Sequence, residues 1–346
     1  MLESKRRVGR AQAFLAPLLF LALSVTLTGC TSTSGPSDTP RPAPNGGSLA
    51  PLSFFDYQPL DPATVKIQPE GLTVEQSLVL DLYTLFHSRD YKAFRLVLTD
   101  ELGKERIGHA LIPPGDGPFP AVVAFEILDG PHDVSEGMAK ALVNRGYAVV
   151  RLERRALDLD HQNNADVVRE VMRAGVIDAR RLLDFLVTHP KIDATRIATA
   201  GVSIGSIQAL LLAACDPRIR GGFYVMTGGN VAEIFYDSSE TPVRNFRNRM
   251  MEQHGWTTRE EWVAGVRALT EPVDPLTYAG YLDARNQLIA SGRLDTVISD
   301  KYAQQLWEAL GEPVWYELPC GHYTLFPFFW WMTARGVDHL DSLLRK

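Results

Sequence analysis

The five residues Gly201-Val202-Ser203-Ile204-Gly205 present a serine hydroxyl with a glycine two positions to either side. A serine oxygen is a weak nucleophile until a neighbouring base takes its proton, so the pattern gains meaning only with a histidine and a carboxylate to complete it. Three histidines follow Ser203: His254, His322 and His339. His322, in Cys320-Gly321-His322, comes four residues after the strand-like run Val314 to Leu318. His254 belongs to a stretch with no strand character, and His339 to the last helical segment, where a solvated surface position is expected. The carboxylate that orients the imidazole is expected at Asp295, five residues beyond the run Gln287 to Ala290. Asp300 is read instead as the N-cap of the helical run it precedes. Asp237 and Asp274 fall in the same stretch as His254.

These side chains do chemistry together only if the elements before them end at one place. Strand-like runs occur at Ala93 to Thr99, Arg106 to Ile112, Ala121 to Phe125, Tyr147 to Leu152, Ile197 to Ala200, Gly222 to Met226, Gln287 to Ala290 and Val314 to Leu318. Helical spacing fills the gaps, most clearly from Asp166 to Leu186, where Val168, Val171, Met172, Ala179, Leu182, Leu183 and Leu186 share one face. Strands alternating with crossover helices predict an α/β fold: a mostly parallel sheet covered on both sides, with reactive groups on loops at the carboxyl ends of the strands. Ser203 stands between a strand and a helix, where the glycines permit a sharp turn and the first helical N–H groups point at the hydroxyl. The N–H of Ile204 is thereby a candidate to stabilise an oxyanion. Between Gly228 and Arg285 the alternation fails; this stretch, with Phe246, Met250, Met251, Trp256 and Trp262, is predicted to be a helical insertion lying over the sheet as a small lid (228–285).

The chain order Ser203, Asp295, His322 on alternating strands and helices resembles the α/β-hydrolase superfamily. Pro190-Lys191-Ile192-Asp193 through Arg196-Ile197, just before the serine, is similar to its dienelactone hydrolase and acetylxylan esterase branches. The resemblance covers roughly residues 90 to 346. It implies a carboxylic ester hydrolase working through an acyl-enzyme on a small-molecule substrate, with no metal or organic cofactor. One position departs from it: where such enzymes have His-Gly after the third strand, this chain has Glu126-Ile127-Leu128-Asp129-Gly130. The second oxyanion donor is then expected to be the N–H of Ile127. Glu126 is expected to hydrogen-bond away from the site, the other reading being a substrate-binding or pKa-tuning role. The same triad also suits a peptidase or acyltransferase, and the Glu126 departure leaves room for a ligand-binding lipoprotein without turnover.

The remaining sequence bounds where such a protein works. Its 346 residues are 45% apolar and 22% charged, with 35 Lys plus Arg against 41 Asp plus Glu and a net charge of −6. Those proportions exclude a disordered or collagen-like chain, and the acidic balance does not favour nucleic acid. Three cysteines make no disulfide framework, and no Cys/His cluster suggests zinc. Lys5, Arg6, Arg7 and Arg10 precede the apolar stretch Ala13 to Leu23. As a helix that stretch spans about 16 Å, too short for a bilayer and suited to a signal-peptide core. It leads to Leu27-Thr28-Gly29-Cys30, which resembles the lipobox of bacterial lipoproteins. The resemblance implies cleavage before Cys30, lipidation there, and a cell-envelope location, at the outer membrane if one is present. Removing residues 1–29 leaves 31 basic against 40 acidic residues, net −9. From Thr31 to Ala50, fourteen of twenty residues are Ser, Thr, Gly or Pro, the composition of a tether, and the region 30–70 is assigned to it, with the folded domain at 71–346.

Overall fold

The computed structural model describes residues 50–70, 90–128, 133–159 and 164–345. The leader, Cys30, the tether up to residue 49 and an amphipathic segment expected at 72–87 lie outside the described residues. The sheet contains β1 (Lys66–Glu70), β2 (Lys92–Thr99), β3 (Glu105–Ile112), β4 (Phe119–Phe125), β5 (Ala148–Leu152), β6 (Ile192–Val202), β7 (Ile219–Val225), β8 (Gln287–Gly292) and β9 (Val314–Leu318). Their spatial order is β1-β2-β3-β5-β4-β6-β7-β8-β9. The pairs from β1 to β5 in this order are antiparallel, and every pair from β5 onward is parallel.

The apolar runs of the central strands make them residents of the middle of the sheet, where both faces are covered. In β4, Val122 and Ala124 face one core, and Ala121, Val123 and Phe125 the other. The first core is closed by α1 (Asp133–Asn144) through Met138 and Leu142, and by the C-terminal helix, Phe329–Leu344, through Met332 and Leu340. The second is closed by α2 (Asp166–Leu186) and α3 (Ile204–Cys215), whose Met172, Leu182 and Leu210 are buried there.

Three helices follow β7 without an intervening strand: α4 (Val231–Asp237), α5 (Thr241–His254) and α6 (Arg259–Thr270). They hold together through Phe246, Met250 and Trp262, with the indole of Trp262 donating to the Ala232 carbonyl at 2.8 Å. Thr258 and Glu261 form a capping box at the start of α6. Asp274 joins the two ends of the insertion: its buried carboxylate accepts from the N–H groups of Asn230 (2.9 Å), Val231 (2.6 Å) and Leu276 (2.9 Å). The next long helix, α7 (Asp300–Leu310), returns the chain to the sheet at β9.

The folded body begins earlier than residue 71. Phe55 and Leu60 are buried, and β1 extends the sheet along β2. The segment is polar overall, but α2 offers a row of guanidinium groups that claim its backbone. Arg173 donates to the Phe54 carbonyl (2.7 Å), Arg180 to that of Phe55 (2.7 Å) and Arg181 to that of Gln58. Two anchored apolar side chains and these bonds order a stretch whose composition alone reads as tether, and Pro69 is tolerated because β1 is an edge strand.

Candidate active site

Ser203 follows β6 directly and precedes α3, with φ 58° and ψ −131°. A non-glycine residue with positive φ is strained, and the neighbourhood holds it there. Its N–H donates to the Val225 carbonyl of β7 at 2.9 Å. The turn is also tight: a Cβ on Gly201 would run into the Gly205 carbonyl, so the residue there has to be glycine. Gly205 in turn lies against the end of β4, where a Cβ would stand 2.5 Å from the Glu126 carbonyl oxygen. That close approach sets the first turn of α3, with Ile204 at its head, beside Ile127, and both side chains line one cavity.

His322 and Asp295 arrive from the carboxyl ends of β9 and β8. The two loops are fastened by backbone bonds, Arg293 N–H to Leu318 C=O (2.8 Å) and Leu294 N–H to Cys320 C=O (2.9 Å). The imidazole bridges the other two groups: Nδ1 is 2.7 Å from Asp295 Oδ2, and Nε2 is 3.0 Å from Ser203 Oγ. The Asp295 side chain is fully buried, and its other oxygen accepts from the N–H groups of Val297 (2.7 Å) and Ile298 (2.9 Å). A carboxylate held this way cannot swing, so it fixes both the orientation and the tautomer of the ring. Residues far apart in sequence are thus joined in one hydrogen-bonded relay.

The Glu126 side chain leaves this site. It is buried and pairs with Arg151, with Arg154 3.7 Å away. Arg155 is engaged by Asp178 and Asp100. Arg151 in β5 and Arg154 and Arg155 just after it are therefore bound up in internal ion pairs. Cys320 is buried beside Gly292, and burial pushes its thiol up to about 11, so it stays protonated and unreactive. Burial likewise raises Cys215, to about 12, and both thiols are free.

Two side chains, Asp300 and His339, behave differently from expectation. Asp300 occupies the first turn of α7 without capping it; its carboxyl accepts from the Ser291 hydroxyl (2.5 Å). Burial there, with Glu317 close by, raises its pKa above the usual carboxylate range. His339 is half-buried, Nε2 lying 3.2 Å from the Asn286 carbonyl oxygen, and burial lowers its pKa. His254, as expected, lies in the insertion; it is the last residue of α5, stacked on Trp256 and away from the relay. The aromatic run from Phe326 to Trp331 divides. Phe329 is buried, Phe326 and Trp331 are exposed, and Phe326, Phe329 and Trp330 line the cavity.

That cavity measures about 300 Å³ and opens beside Ser203 and His322. Its walls come from the end of β4 and α1, from the loop after His322, and from α4 and α5 through Phe235 and Val243. The insertion was legible as helical but gave no sign of which side chains would face the serine. The two amide donors that hold Asp295 were also missed; the signal was an aspartate opening a turn, whose carboxylate commonly accepts from N–H groups two and three residues on.

No protein-family model matches the chain. It is 29% identical over 121 residues to the bile acid-CoA:amino acid N-acyltransferase of Mus musculus, a match covering 35% of this chain and only 27% of that relative's length. Among solved structures it superposes on the acetyl xylan esterase of Paenibacillus sp. R4 with a TM-score of 0.63 and 17% identity, over 84% of this chain and 92% of that one. Acetyl xylan esterase 1 of Thermoanaerobacterium sp. JW/SL YS485 gives 0.61 and 15%, over 87% and 95%. Identities this low speak for architecture alone. Together with the strand order and the crossover helices, these superpositions establish that the chain has the α/β-hydrolase fold.

Proposed function

We propose that the chain is a serine hydrolase that cleaves carboxylic esters through an acyl-enzyme. The observation that carries this reading is the relay, with His322 within hydrogen-bonding distance of both Ser203 Oγ and Asp295. His322 Nε2 takes the hydroxyl proton as Ser203 Oγ adds to the ester carbonyl, while Asp295 stabilises the imidazolium that forms. The carbonyl oxygen gains negative charge and is received by the N–H groups of Ile204 and Ile127. Collapse breaks the bond to the alcohol, which leaves with the proton from His322. Water, deprotonated by the same imidazole, then adds to the acyl-serine; the acid departs and the hydroxyl is restored. Every proton in the cycle passes through His322, so the scheme calls for no metal or organic cofactor.

Replacing Ser203 by alanine tests this. Turnover of p-nitrophenyl butyrate should fall by at least about 10⁴-fold with the circular dichroism spectrum retained. A variant keeping a tenth or more of the activity would contradict the assignment. The acyltransferase resemblance over 121 residues favours one alternative for the second half-reaction, an amine in place of water as acceptor. Product analysis with an amino acid added separates the two.

The leader and Cys30 support attachment to the cell envelope. In a bacterial host, Cys30→Ser should move the protein out of the membrane fraction; an unchanged distribution would remove the basis for a lipid anchor.

A further inference from the structure

We infer that the acid part of the substrate is an apolar acyl chain of medium length, about six to ten carbons, and not the acetyl group of a carbohydrate. This rests on the serine hydrolase reading and specifies its substrate class.

The cavity beside Ser203 is walled on one side by Ile127, Leu325 and Phe329 and on the other by Phe235, Val243 and Ile298. Apart from Ser203, His322 and the indole N–H of Trp330, its polar side chains among the described residues are Ser238, Glu240 and Tyr323. Tyr323 and Glu240 engage each other, the Tyr323 hydroxyl donating to the Glu240 carboxylate, and the Ser238 hydroxyl accepts from the Glu240 backbone N–H (3.3 Å). A sugar bound here would bury hydroxyl groups against hydrocarbon, and each one left without a partner weakens binding. Sites that recognise a hydroxyl supply a hydrogen-bonding group for it; an acyl chain needs none.

Size narrows the class. At roughly 30 Å³ per non-hydrogen atom, the share of liquid volume taken by one water, about 300 Å³ accommodates roughly ten atoms. An acetyl group would leave most of that space unfilled, and a chain of sixteen carbons would overrun it. Phe326 and Tyr323, 53% and 72% exposed, carry the lining out to the surface at the mouth.

The test is a series of p-nitrophenyl esters from acetate to palmitate, with acetylated xylose alongside, on the purified protein. Each buried methylene strengthens binding by roughly a factor of four at most. On that basis kcat/KM should peak between six and ten carbons, with octanoate exceeding acetate by at least about tenfold. Val243→Trp, which fills the cavity from α5, should move the optimum to shorter chains, its penalty growing with chain length. An optimum at two to four carbons, or acetylated xylose cleaved as well as octanoate, would overturn the inference. So would an optimum at sixteen. Ser203→Ala keeps the two claims apart. If it abolishes turnover while the wild-type optimum lies elsewhere, only the substrate class fails; if octanoate is still cleaved without the hydroxyl, the serine hydrolase reading fails. Should the tryptophan variant not fold, the wild-type series decides alone.

Discussion

Two neighbouring regions of the molecule are built in different ways. Along the carboxyl edge of the sheet, the relay is positioned by backbone bonds. Asp295 is held by two amide donors, the loops carrying Asp295 and His322 are fastened to each other, and Ser203 hangs from the β7 carbonyl of Val225. The wall over that edge, from α4, α5 and the segment after His322, meets the cavity with packed side chains such as Phe235, Val243 and Phe329. Backbone bonds fix a position to tenths of an ångström whatever the side chains around them, whereas a packed wall can be re-cut by a single substitution. On the proposed function, the edge would set which reaction occurs and the wall which molecule undergoes it.

Substitutions at the edge should therefore cost far more than those in the wall, and should cost it for every substrate. Asp295→Asn keeps an oxygen to accept from Val297 and Ile298 but loses the charge that fixes the tautomer of His322. We expect kcat to fall by roughly 10³- to 10⁴-fold, equally for acetate and octanoate, with the melting temperature little changed. A loss under tenfold would mean that the carboxylate does not serve the relay. In the wall, Val243→Trp should cost roughly 10- to 100-fold on octanoate and much less on acetate. If it lowers both esters alike, the division between the two regions breaks down.

The same division governs what could be read from the amino-acid sequence. The helix Asp166–Leu186 and the strand Val314–Leu318 were foreseen to the residue; the periodicity of the helix reports its buried face directly, whereas in the edge strand only Leu318 is buried. Ser203, Asp295 and His322 were locatable because chain order and distance past a strand decide which edge a loop reaches. The ordered segment 54–70 was not legible: it is held by arginines of α2 that reach its carbonyl groups across more than a hundred residues of sequence. Asp300 was misread as a cap because its partner, Ser291, sits in the neighbouring strand rather than in its own helix. The cavity wall escaped for a similar reason. Helical spacing in α5 marks Val243, Phe246 and Met250 as buried, yet it does not say that Val243 alone among them borders the serine.

The most direct measurement is the intact mass of the protein after exposure to a fluorophosphonate, which forms a stable bond only with an activated serine, followed by peptide mapping. One adduct per chain, located at Ser203 and lost in Ser203→Ala, is the expected result. An unmodified wild-type protein, or an adduct on another residue, would contradict the claim that His322 and Asp295 make this hydroxyl reactive.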